Sequence, residues 1–62
     1  MSESARTKFI AAGEKLYPEL GYSKLSVRLL AAEAELSSGM FHHLFENKDV
    51  FMLEMFRHYN IT

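Results

Sequence analysis

A chain of 62 residues without a single cysteine has to hold itself together by side-chain packing alone. A domain of this size buries only about 60% of the surface its unfolded chain exposes, so it sits near the limit of independent stability. Neither a disulfide nor a thiolate metal site is available as a staple. Any core comes from the 48% of residues that are apolar, rich in Leu, Phe, Met and Ala. No apolar run approaches the roughly 18 residues of a membrane span. The N-terminus, Met1-Ser2-Glu3-Ser4, lacks the basic-then-apolar pattern of a secretory signal. The expectation is one soluble, cytoplasmic domain.

Apolar residues recur at three- and four-residue intervals in four stretches, and no stretch alternates as a strand would. The first runs from about Ser4 to Leu20, with Phe9, Ile10, Ala12, Gly13, Leu16, Tyr17 and Leu20 on one stripe. Gly21 is a suitable stop, and Pro18 predicts a kink or a tightened last turn, because it lacks an N–H and crowds the carbonyl of Glu14. Ser26 caps a second helix over 27–34, with Val27, Leu30, Ala31 and Ala34 inward. Ser37 caps a third over about 38–45, and Asn47 caps a fourth from Lys48 to about Tyr59. Connections of a few residues suit packed helices. The fold class expected is all-α: three helices over residues 1–47, then a fourth, connecting helix over 48–62.

Two short helices joined by a tight turn, with Ser37-Ser38-Gly39 opening the second, outline a helix-turn-helix. Ala31, Ala32 and Ala34 allow close approach, and Phe41 and Phe45, four apart, anchor the third helix to a core. Ser38, Met40, His42, His43 and Leu44 are then directed outward. A formal net charge of −1 argues against a strongly basic nucleic-acid binder and predicts weak non-specific affinity.

These residues stand at intervals that resemble the DNA-binding head of the tetracycline-repressor-type (TetR) family of transcriptional regulators. Phe9-Ile10, Ala12-Gly13, Leu16-Tyr17 and Gly21-Tyr22 match the first-helix pattern, Ser26 and Leu30-Ala31 the second, and Ala34 the turn. The family's run apolar-Ser-x-Gly-x-apolar-Tyr-x-x-Phe-x-x-Lys resembles Leu36-Ser37-Ser38-Gly39-Met40-Phe41-His42-His43-Leu44-Phe45-Glu46-Asn47-Lys48. The likeness covers about Arg6 to Phe56. It implies that His42 and Lys48 touch phosphates. It also implies that Ser38, Gly39, Met40 and His43 approach bases, that Arg28 and Ser26 lie near the backbone, that Ser37 at the helix start is one of the DNA-binding residues, and that Arg6 to Lys8 reach the duplex. It further implies a ligand-responsive regulator, usually a repressor, that reads a palindromic operator as a homodimer. Dimerisation and effector binding would belong to a C-terminal domain beyond this chain. No cofactor or metal is implied.

The chain departs from the family's pattern in several places. His42 stands for the usual Tyr and would donate to phosphate best when protonated, giving pH-sensitive affinity. Glu35 stands where the turn usually has Gly, and a positive φ there would strain it. Leu29 replaces a polar residue and leaves an apolar spot exposed, and Glu46 and Asp49 flank Lys48.

Each of these residues also has a plainer reading. Ser26, Ser37 and Asn47 are helix caps first, and Arg28, Lys48, His42 and His43 are ordinary surface residues apart from the register. Met40 reads equally as a core gap-filler. His42 with Glu46 is too few ligands for zinc, and Ser37 beside histidines has no oriented base or oxyanion feature, so an enzyme is not expected. In the fourth helix Val50, Phe51, Met52, Leu53, Met55, Phe56 and Tyr59 surround more than one face. A combination of Met52, Met55, Phe56 and Tyr59 is expected to form an apolar patch awaiting a partner. A protein-interaction module that keeps the fold without DNA binding is the competing reading.

Overall fold

The computed structural model describes residues 4–60, which form four helices: α1 Ala5–Lys24, α2 Val27–Ala34, α3 Ser38–Leu44 and α4 Lys48–Asn60. The described residues contain no strand, and none of their helices is long and apolar enough to cross a membrane. The fold is all-α. Helix α1 is its centre, packing against each of the other three, while α2 and α3 pack on each other.

Each helix begins where a hydroxyl or amide side chain can take an orphan N–H. Ser4, Ser26, Ser37 and Asn47 accept from the amides of Thr7, Leu29, Met40 and Val50 at 3.1, 3.1, 3.0 and 2.9 Å. Leu25 and Leu30, both wholly buried, occupy the positions of a hydrophobic staple around the Ser26 cap. Leu36 and Phe41 repeat that placement around Ser37.

The irregularity in α1 falls at Gly21 (φ 74°, ψ 173°), where the helix breaks before one further turn, and not at Pro18. Only glycine adopts that backbone readily. Helix α2 ends on Glu35 in the left-handed region (φ 61°, ψ 40°). The amide of Glu35 bonds the carbonyl of Ala32 at 3.2 Å, and that of Leu36 bonds Ala31 at 2.9 Å. This is a Schellman ending, which ordinarily falls to glycine. Glu35 therefore carries the strain a Cβ meets at positive φ. Glu35→Gly is expected to raise stability by about 1 kcal/mol, part of the relief being lost to the freer unfolded chain. A urea midpoint that rises with an unchanged slope would register it.

Four fully buried phenylalanines make the centre of the core: Phe9 from α1, Phe41 and Phe45 from the α3 region, and Phe51 from α4. Their rings meet edge-on or tilted at centroid distances of 5.0–6.1 Å. Such pairs add about 0.5–1.5 kcal/mol each beyond the area they bury.

Helix α4 corrects the expected apolar patch. Met52 and Met55 are buried, and Gly13 lets α4 come so close to α1 that Phe51 and Met55 lie directly over it. The exposed apolar side chains of α4 are Leu53 (63%) and Phe56 (40%), the latter edge-on to Tyr17 at 5.6 Å. Tyr59 lies outside the residues whose side chains are described. Leu44, expected outward, is half-buried against the core.

Candidate nucleic-acid interface

The orientation of α3 follows from its two aromatic anchors. Advancing about 100° per residue, Phe41 and Phe45 point one way, and Gly39 and His43 fall on the opposite side. His42 and Met40 flank that pair, while Ser38, the first residue of the helix, falls near the direction of the anchors. All five are exposed, as are Arg28 and Leu29 on α2. Arg28 makes no ion pair among the described residues. The ring of His42 stands edge-on to Phe41 at 5.6 Å, and the residue is exposed. Met40 is 38% exposed, so part of its side chain is accessible from outside.

Gly39 is unlike Gly13. A Cβ built at Gly39 meets nothing closer than the Ser37 hydroxyl at 3.8 Å, and its φ is not positive. Nothing in the fold requires glycine there, although an exposed helical glycine costs about 1 kcal/mol relative to alanine. The gap leaves the backbone of α3 open to close approach from outside.

Ser37 is the cap of α3, its hydroxyl engaged by the amide of Met40. Lys48 is also engaged. Its ammonium donates to the carbonyls of Tyr22 and Leu25, both at 2.9 Å, and lies 4.0 Å from the centroid of the Tyr22 ring. It thus caps the carbonyls left open by the break at Gly21 and ties that corner to the start of α4. Tyr22 in turn donates its hydroxyl to the Asp49 carboxylate, so Asp49 is occupied rather than simply facing solvent beside Lys48. Arg6 is tied too: it pairs with Glu54, donates to the carbonyl of Leu44 at 3.3 Å and sits 5.0 Å over the Phe45 ring. Lys15–Glu33 at 2.9 Å and Glu14–His58 at 3.0 Å link α1 to α2 and to α4. Exposed pairs like these are worth little individually.

The hydrogen bond to Asp49, which favours the protonated phenol, raises the Tyr22 pKa, with burial and the negative charge of Asp49 acting the same way. A pKa raised by folding stabilises the fold below the unfolded value, near 10, and that contribution is lost as pH rises through the higher folded value. Tyr22→Phe is therefore expected to lose stability at neutral pH but to show a shallower further decline above pH ~10. Thermal melts across that alkaline range would show the two curves converging.

Sequence reasoning passed over Leu25, which precedes a cap instead of lying in a periodic run, although the staple position was a readable signal. It also passed over the Tyr22–Lys48–Asp49 arrangement, which depends on the chain turning at Gly21. Among the described residues no group of three or more metal-ligating side chains comes together.

No curated protein and no solved structure matches the chain significantly. The family model described as bacterial regulatory proteins, tetR family, matches residues 9–55, from the first core phenylalanine to the methionine that closes α4 over Gly13. That span is well over half of the 62 residues and includes the whole α2–α3 pair. The chain belongs to the TetR family of bacterial regulatory proteins, a family of DNA-binding transcription regulators.

Proposed function

We propose that the chain is the DNA-reading head of a ligand-responsive repressor, with α3 lying in the major groove. The observation that carries this reading is the burial of Phe41 and Phe45, which leaves Gly39, Met40, His42 and His43 on a firmly held outer face. Ser38, Met40 and His43 approach base edges, Gly39 admits the duplex closely, and His42 and Arg28 reach phosphates. Ser37 holds the start of the helix in place. An ammonium has three donors, and Lys48 spends two on carbonyls and keeps one for a phosphate. In the regulator, two such heads would enter successive major grooves about 34–36 Å apart on a palindromic operator. A further domain would join them as a homodimer and bind the effector that changes their spacing.

Fluorescence anisotropy of labelled duplex DNA with rising salt tests this. Affinity should fall with a log–log slope near −0.9 per phosphate neutralised. A protein-interaction module is the second reading, favoured by the exposed Leu53 and Phe56 and the absence of net positive charge. Undetectable binding at low salt, for the chain alone and for a chain fused to a dimeriser, would favour it.

A further inference from the structure

We infer that α3 discriminates its DNA site chiefly through the C5-methyl group of thymine, with Met40 as the specificity-determining side chain. This rests on the DNA reading above and names what that face recognises. The segment Ser38–Leu44 holds no Arg, Lys, Asn or Gln. Those are the side chains that pair bidentately with guanine O6 and N7 or with adenine N6 and N7. What remains exposed on α3 is Ser38, Gly39, Met40, His42 and His43. A serine hydroxyl both donates and accepts, and so serves any base. A neutral imidazole donates a single N–H, and N7 is present on both purines, so His43 bonded there separates purine from pyrimidine but not guanine from adenine.

Met40 is the one exposed apolar side chain of the helix. It is three residues before His43 on the outer face, so the two are surface neighbours. The only apolar group a base pair presents in the major groove is the thymine methyl. An unbranched, polarizable thioether adapts readily to such a target. With the bidentate readers absent from α3, the single hydrogen bonds of Ser38 and His43 can be made with more than one base, and the thymine methyl is the feature an apolar side chain here distinguishes directly.

The experiment is a selection of sites from a randomised duplex pool at low salt, using the whole chain. Each thymine of the selected site is then replaced in turn by uracil, which keeps the Watson–Crick edge and lacks the methyl. Against the unaltered chain, at least one replacement should weaken binding about fourfold, the worth of one methylene-sized group returned to water. The Met40→Ala chain, with its helical circular dichroism intact, should bind the thymine and uracil duplexes alike. Salt-sensitive binding that ignores every uracil replacement, or that selects no thymine position, overturns this inference and leaves the DNA reading standing. Sensitivity that persists in Met40→Ala overturns the assignment to Met40. Absence of any duplex binding at low salt removes both.

Discussion

Replacing Phe45 by alanine is expected to leave the chain unfolded at room temperature. Phe45 sits just past the end of α3, fully buried, with its ring 5.0 Å from both Phe41 and Phe51 and 6.1 Å from Phe9. The guanidinium of Arg6 lies over it, 5.0 Å from its centroid. Truncation removes ring contacts with α1, α3 and α4 at once, and the three other rings cannot all shift to fill the space. Phe→Ala changes in such sites cost about 3–5 kcal/mol. At 0.05–0.15 kcal/mol per residue, a domain of this length holds roughly 3–9 kcal/mol in total. The loss is therefore comparable with the whole stability. Far-ultraviolet circular dichroism should show most of the helical signal gone, and a cooperative melt like the parent's would contradict the account of the core.

The second large effect comes from the smallest residue of the core. A Cβ at Gly13 would stand 2.7 Å from Phe51 Cζ, 2.9 Å from Phe51 Cε2 and 2.8 Å from the Met55 sulfur. Met55 can swing aside, but the Phe51 ring is completely enclosed and wedged against Phe41 and Phe45. A branched side chain at Gly13 therefore has to push α4 away from α1. Gly13→Val is expected to cost about 1–3 kcal/mol through that overpacking, despite valine's better helix propensity. The displaced α4 would also pull on the Lys48 ties to Tyr22 and Leu25. Urea denaturation should show a midpoint well below the parent's. A Gly13→Val chain as stable as the parent would mean that α4 does not approach α1 this closely.

What could be read from the residues in order, and what could not, divides along physical lines. The inward direction of Phe41 and Phe45 follows from their four-residue spacing, because a helix fixes relative direction once two anchors are known. The caps at Ser26, Ser37 and Asn47 depend only on neighbours three residues away, so they too were legible. The strain at Glu35, whose φ is positive, was legible through the family likeness, which puts glycine in that turn. The depth of Met55 was not. It is set by how near two helices come, and that depends on Gly13, some forty positions earlier in the chain. Lys48 gives the same lesson at the site. Its sequence register speaks of phosphate, but its two carbonyl partners exist only because the chain breaks at Gly21 and turns back toward α4. Local chemistry reads from the sequence, and long-range contacts have to be seen in three dimensions.

The central claim is that one side of α3 belongs to the core and the other to DNA. Gly39 separates the two demands, because it stands on the outer side with open space where a side chain would go. Gly39→Leu, which exchanges a poor helix former for a good one, should melt no lower than the parent while its affinity for duplex DNA at low salt falls at least tenfold. A chain that carries leucine there, melts as predicted and still binds duplex as the parent does would contradict the claim.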